Sequence, residues 1–209
     1  MTDDRTQLIE QLIEAGKLLV DKGLVQASGG NLSARVGPDT MTITGTGTWL
    51  DRLDANSFAD VTFDGAATGP AQPSSEWLLH ARIYQARPDV NSVLHLHPQL
   101  SLLLTALGKR IRFITQDHTV YVGSYGQTPY YGNGTDDLAD SAADQLRDGT
   151  NSVVLMENHG IAAAGKSVEW ALRRAVNFEE AALLTFRALQ LGDESTVFPA
   201  DRAHLLFHV

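Results

Sequence analysis

The sequence predicts an α/β domain, and three observations carry that expectation. Its 209 residues are 43% apolar, a length and composition that fit one hydrophobic core. Short stretches of alternating residues recur between stretches whose apolar residues repeat at helical spacing. No repeat or low-complexity segment divides the chain, so one domain over residues 1–209 is expected. Strands that alternate with helices in this way point, on patterning alone, to a parallel sheet.

The first element is an amphipathic helix over residues 6–20, with Leu8, Ile9, Leu12, Ile13, Ala15, Leu18, Leu19 and Val20 at helical intervals. Thr2, Asp3 or Asp4 can cap it, and Gly23 falls where it should stop. Ala27-Ser28-Gly29-Gly30-Asn31-Leu32-Ser33-Ala34-Arg35 follows. Its two glycines make either a plain loop between helix and strand or a backbone cradle that turns N–H groups toward an anion. Met41-Thr42-Ile43-Thr44 alternates as a strand and runs into Gly45-Thr46-Gly47-Thr48, a second glycine-bearing loop with hydroxyl side chains. Residues 60–65 form another short strand entering a turn, and Gly69-Pro70-Ala71-Gln72-Pro73 is a pliable connection.

Pro73-Ser74-Ser75-Glu76 precedes the helical pattern Trp77, Leu78, Ala81, Ile83 and Tyr84, which ends around Arg87-Pro88. The serines therefore sit where a helix begins and where anions are attracted. Glu76 is either a complement to the helix dipole or a functional carboxylate. In Ser92-Val93-Leu94-His95-Leu96-His97-Pro98, strand alternation puts Val93, His95 and His97 on one face and Leu94 and Leu96 on the other. Pro98 then stops the strand. Residues 100–107 are a helical core segment, and residues 111–118 with the tyrosines Tyr121, Tyr125, Tyr130 and Tyr131 read as strand and loop. A helix begins near Thr135 and carries Leu138, Ala142, Ala143 and Leu146. Residues 152–156 are a buried strand that delivers Glu157-Asn158-His159-Gly160 to its end, and a long helix fills residues 168 to about 191.

Charge and composition narrow the function. Sixteen basic against 25 acidic residues give a net charge of −9, the wrong sign for nucleic acid or an anionic membrane surface. With no cysteine there is no disulfide and no thiolate ligand, so a zinc-like ion must be held by histidine and carboxylate. The acidic start lacks an apolar signal core, and no apolar run approaches the roughly 18 residues that span a membrane, so a cytoplasmic protein is expected.

His95 and His97 make either the polar face of an edge strand or half of a metal site, and His159, at a strand end beside the accommodating Gly160, is placed to supply a third imidazole to the latter. Glu76 is the natural carboxylate. His80, within a helix, His118, and the tail residues His204 and His208 are weaker candidates.

Taken together, P-S-S-E, H-x-H-P and N-H-G, with the upstream G-G-N-x-S and T-G-T-G, resemble the class II aldolase and adducin-head family in order and separation over nearly the whole chain. The resemblance implies a three-layer α/β/α domain with a central, largely antiparallel sheet. It implies that His95, His97 and His159 bind a divalent metal, zinc or another such as manganese or cobalt, and that Glu76 is a fourth ligand or the acid/base. It further implies that Gly30, Asn31, Thr46, Gly47, Ser74 and Ser75 cradle a phosphate. Within the family the chain is most similar to fuculose-phosphate and related pentulose-phosphate aldolases. The expected reaction is cleavage of a ketose 1-phosphate to dihydroxyacetone phosphate and an aldehyde, on a phosphorylated sugar and in a homotetramer. Sugar-phosphate epimerisation or decarboxylation on the same enediolate chemistry is the alternative. A non-catalytic adducin-like module is disfavoured, since a scaffold has no reason to keep three histidines and a carboxylate together. One departure concerns the tyrosine that fuculose-phosphate aldolases carry mid-chain, which falls here on Gln116. Asp117 or His118 becomes the candidate second acid/base, with the glycine-flanked tyrosines as further options. A terminal tyrosine is also missing from the tail.

Overall fold

The computed structural model describes residues 4–206. Helix α1, Asp4–Asp21, buries Ile9, Leu12, Ala15 and Leu19 along one stripe, as its spacing requires. Asp4 lies in its first turn, where a carboxylate complements the helix dipole. The alternative caps Thr2 and Asp3 lie outside the described residues. Gly23 takes φ +76°, a left-handed conformation suited to glycine at a helix end.

The strands are β1 Asn31–Gly37, β2 Thr40–Thr44, β3 Phe58–Thr62, β4 Ala67–Thr68, β5 Ser92–Leu96, β6 Gly126–Thr128, β7 Val153–Met156 and β8 Gly160–Gly165. They form one sheet in the order β4-β3-β2-β1-β5-β8-β7-β6. Every neighbouring pair is antiparallel except β6 with β7. The parallel sheet suggested by patterning is therefore corrected, and the antiparallel sheet implied by the resemblance is the one observed. Two strands make the difference. β1 was masked by its glycine-led entry and polar residues. β8 reads Gly-Ile-Ala-Ala-Ala-Gly, poor in strand formers and buried on both faces, so no alternation marks it. With β1 and β8 in place, β1–β2 and β7–β8 become hairpins joined by short turns, which enforces antiparallel pairing there.

Helices cover both faces. On one, α1 and the long α6, Val168–Gln190, pack with α3, Gln99–Ala106, and α4, Gln116–Tyr121. Their core includes Leu32, Leu94, Leu96, Leu155, Ile161 and Phe178. On the other, α2, Trp77–Ala86, packs on α5, Asp136–Leu146. Here Met41, Val93, Val154 and Ala162 meet Leu79, Ile83, Tyr84 and Leu138. Successive residues of β5 thus feed opposite cores, which puts His95 on the α2 side with Val93. The segment read as strand before Gln116 is irregular, and the polar run at 116–121 is α4, entered through a Thr115 side chain that accepts from the His118 N–H. That capping residue turns the chain into a helix where strand formers upstream suggested otherwise. Among the described residues no helix is long and apolar enough to cross a membrane.

Candidate metal centre

The two-residue alternation of β5 ends on His95, and His97 follows one residue past the strand. Asn31, the first residue of β1, lies across from His95, and Ile161 of β8 lies across from Leu96. The turn between β7 and β8 therefore brings His159 beside both imidazoles. Asn158 sustains that turn at φ +53°, a left-handed conformation that asparagine tolerates better than most residues. Glu76 comes from the opposite layer, at the residue preceding α2. Its side chain makes no cap hydrogen bond and is turned toward the histidines, with Oε2 3.1 Å from His95 Nε2 and Oε1 3.1 Å from His159 Nε2. The structure thus brings Glu76, His95, His97 and His159 together, with one ligand atom from each all within 4.8 Å of one another.

Two glycines make this approach feasible. A Cβ on Gly160 would lie 2.8 Å from His97 Cδ2 and 2.9 Å from His95 Cε1, and one on Gly29 would lie 2.9 Å from His97 Nδ1.

The donor set fits a divalent cation. The Ile161 carbonyl can only accept, so His95 donates to it from Nδ1 at 3.0 Å, and in the neutral ring Nε2 carries a bare lone pair. That lone pair faces the Glu76 carboxylate and, at 3.0 Å, His97 Nε2. Glu76 Oε1 and His159 Nδ1 are buried without a hydrogen-bond partner. Convergent lone pairs and a carboxylate repel one another unless a positive charge sits among them. Tetrahedral N and O ligands at zinc distances would stand about 3.3 Å apart, close to the spacings seen. Burial pushes the Glu76 carboxyl up, but the imidazoles of His95 and His159 overcome this and hold it well below the ordinary carboxylate range. His97 is pushed down to about 4, first by burial and then by His95 and His159, so its ring is neutral and able to ligate near pH 7.

The residues singled out for phosphate converge at the same end of the sheet. Thr44 Oγ1 accepts from Leu32 N at 3.1 Å, and an isolated bridge joins Gly45 to Pro73, so the Gly30-Asn31, Thr46-Gly47 and Ser74-Ser75 segments are neighbours. Thr46, Gly47 and Ser75 are exposed, and Gly47 has φ +72°. Ser74 is buried and its Oγ accepts from Glu76 N at 3.2 Å. Asn31 is buried and occupied on both sides: Nδ2 donates to Glu76 Oε2 at 2.9 Å, and Oδ1 meets His80 Nε2 at 2.5 Å.

The second acid/base candidates do not join the cluster. His118 is fully buried, its Nδ1 accepts from the N–H groups of Ile114 and Thr115 at 3.3 and 3.4 Å, and its Nε2 faces Glu180 of α6 at 3.4 Å. Burial lowers its pKa, against the pull of Glu180. Asp117 is exposed on α4, and His204 is exposed in a 3₁₀ turn at Ala200–Leu205. His208 lies outside the described residues. His80, weighed in the sequence as a spare ligand, instead lies behind Asn31. Its position four residues after Glu76 on one helix stripe was the signal for that neighbourhood.

Residues 10–186 match the model of the class II aldolase and adducin N-terminal domain. The chain belongs to this family. It is 32% identical over 207 residues to the 5-methylthioribulose-1-phosphate/5-deoxyribulose-1-phosphate aldolase of Rhodospirillum rubrum, covering 96% of this chain and 90% of that protein. It is 31% identical over 184 residues to the 3-oxo-tetronate 4-phosphate decarboxylase of Escherichia coli O6:H1, covering 86% of each. A solved L-fuculose 1-phosphate aldolase superposes with a TM-score of 0.85 at 28% identity, covering 96% of this chain and 94% of that one. The chain is accordingly a member of the class II aldolase superfamily, whose activities among these relatives include aldol cleavage and decarboxylation.

Proposed function

We propose that this protein is a metal-dependent aldolase that cleaves a ketose 1-phosphate, of the fuculose-phosphate or 5-deoxypentulose-phosphate kind, to dihydroxyacetone phosphate and an aldehyde. The observation that carries the reading is the set of His95, His97, His159 and Glu76, whose facing lone pairs and unpartnered carboxylate oxygen call for a cation. The three imidazoles and Glu76 would hold a divalent ion, zinc or a similar metal. When bound, such an ion polarises the substrate carbonyl and stabilises the oxyanion that develops as the carbon–carbon bond breaks.

The remaining work falls to the protein's own groups. Gly30, Thr46, Gly47, Ser74 and Ser75 form the phosphate cradle in this reading, through backbone N–H groups and hydroxyls beside the N-terminus of α2, while the side chain of Asn31, expected among them, is taken up by Glu76 and His80. They bind the part of the substrate that does not react, which fixes C3 beside Glu76. As the C3–C4 bond breaks, the C4 hydroxyl passes its proton through water to the Glu76 carboxylate and becomes the aldehyde, and the electron pair remains with C3 as an enediolate. Glu76 returns a proton to C3 to release dihydroxyacetone phosphate. Assembly as a homotetramer in the cytoplasm belongs to the same reading, the tetramer being what the resemblance to this family implies.

The test is a panel of ketose 1-phosphates given to metal-loaded wild type and Glu76→Gln. General acid/base work is worth ~10²- to 10⁴-fold, so the glutamine variant should keep its metal on three histidines and lose kcat by at least the lower figure. Deuterium exchange at C3 of dihydroxyacetone phosphate isolates the proton step. Exchange as fast in Glu76→Gln as in wild type, at equal metal content, would remove Glu76 as the base. A second reading has its own support in the decarboxylase relative. Loss of carbon dioxide from a 3-oxo acid phosphate leaves the same kind of enediolate, and carbon dioxide release with no aldehyde would favour it.

A further inference from the structure

Behind the carboxylate lies a buried polar network that aldol chemistry does not by itself explain. Helix α2 contributes His80 and Tyr84 and the residue just before it is Glu76, the three spaced four apart on one stripe, and β1 contributes Asn31 and Ser33 on one strand face. All five are buried: Asn31 is 4% exposed, Glu76 5%, Tyr84 1%, and Ser33 and His80 are fully enclosed. They touch in series. Asn31 Nδ2 is 2.9 Å from Glu76 Oε2, Asn31 Oδ1 2.5 Å from His80 Nε2, His80 Nδ1 2.7 Å from Ser33 Oγ, and Ser33 Oγ 2.8 Å from Tyr84 OH.

Each link has only one polarity. A carboxylate accepts only, so Asn31 must present its NH₂ to Glu76 and its carbonyl oxygen to His80. That oxygen also accepts only, so the His80 proton sits on Nε2. Burial keeps this ring neutral, so Nδ1 is bare and must receive the Ser33 hydroxyl proton. Ser33 Oγ then has only lone pairs left for Tyr84, whose O–H donates. The direction of every hydrogen bond, from Tyr84 to Glu76, follows from the last one.

We propose that Tyr84, Ser33 and His80 are positioning residues that lock the Asn31 amide in one orientation and thereby hold the Glu76 carboxylate by Oε2, leaving Oε1 free on the His159 side. This rests on the reading of Glu76 as ligand and base. A flipped Asn31 would set its carbonyl oxygen against a carboxylate, and the His80 tautomer fixed by Ser33 adds a second bar to the flip from the other side of the amide. Five polar groups buried for stability alone are a poor choice, since apolar residues of the same shape avoid the desolvation penalty. A network that aims a carboxylate gives them a purpose.

The test is a double-mutant cycle on the zinc-loaded protein, with Ser33→Ala, Glu76→Gln and the pair, and with Tyr84→Phe as a second entry into the network. Two quantities are read: the zinc dissociation constant by chelator competition, and kcat separately from KM on the best ketose 1-phosphate. Groups that orient metal ligands typically contribute 10- to 100-fold, so Ser33→Ala should weaken zinc binding and lower kcat by about 10-fold with KM unchanged. Tyr84→Phe should shift both in the same direction by less, and Ser33→Thr should restore them. In the Glu76→Gln background, Ser33→Ala should change neither, because the group it aims is gone. Equal factors in both backgrounds, or a lowered melting temperature with zinc affinity and kcat untouched, would overturn the proposal and leave the network a packing feature. If wild type binds zinc and cleaves no ketose 1-phosphate, the aldolase reading fails by itself, and the zinc cycle still decides the network.

Discussion

Replacing Gly160 by alanine should dismantle the proposed metal site without touching a ligand. The added methyl would press on the Leu96 carbonyl oxygen and lie 2.8 Å from His97 Cδ2 and 2.9 Å from His95 Cε1, where ordinary contact begins at 3.4 Å. The Leu96 carbonyl is backbone, so relieving that contact must strain the pairing of β8, which is held by β5 on one side and β7 on the other, with Gly160 itself paired to Met156. The rings must give as well, by about 0.5 Å, because repulsion is steep at these separations. Metal–nitrogen bonds near 2.0–2.1 Å tolerate only about 0.2 Å of displacement, so two of four ligands leave range together. We expect zinc affinity to fall by roughly 10- to 100-fold and the metal-free protein to lose ~1–3 kcal/mol from overpacking. Chelator competition reads the first, and the urea midpoint of the metal-free protein reads the second. Gly37→Ala is the control, since its methyl would meet Thr40 Cβ at an ordinary 3.6 Å. Wild-type zinc affinity together with an unchanged midpoint in Gly160→Ala would refute the reasoning.

Two further outcomes concern stability. His97 and His80 are pushed down to about 4 and about 3 by burial, so the folded protein binds fewer protons than the unfolded chain below pH 6.5. Their contribution is fully present above pH 6.5 and is lost as pH falls toward 4 and then 3, by about 1.4 kcal/mol per pH unit for the enclosed His80. Urea midpoints of metal-free protein should therefore fall steadily from pH 7 to 4.5, and a flat or rising profile would contradict the assignment. The Glu179 carboxylate of α6 accepts from the N–H groups of Leu100 and Ser101 at 2.9 and 3.0 Å and from Ser101 Oγ at 2.6 Å, tying down the start of α3. Glu179→Ala strands these buried donors and should reduce unfolding free energy by about 3 kcal/mol, with Glu179→Gln losing less. Denaturation of the two variants side by side checks the order.

Much of the candidate site is legible in the sequence, and the reason is local geometry. Alternation along residues 92–97 put His95 and His97 on one face whatever the sheet looked like, and the absence of cysteine restricted any zinc site to histidine and carboxylate. Five helices were readable for the same reason, because α1, α2, α3, α5 and α6 each carry apolar residues at helical spacing. Where local chemistry was ambiguous, patterning fell short. β8 is alanine and glycine buried on both faces, so nothing alternates, and the strand sense inferred without it came out parallel. The polar run at 116–118 held the candidate second acid/base, yet its histidine takes part in the entry to α4 and faces Glu180, away from the metal ligands.

Glu76 shows where the division lies. As a residue in sequence it could equally complement a helix dipole or serve chemistry, because both roles need a carboxylate just before a helix. Its direction is set by groups far along the chain: His95 and His159 in front, and Asn31 behind. Spacing along one helix or one strand determines which side chains share a face, and the sequence carries that information. Which faces meet depends on the order of strands in the sheet and the layer in which α2 docks. Those are sums over many weak long-range contacts, so only the folded chain decides that Asn31, Ser33, His80 and Tyr84 stand behind Glu76 as one network.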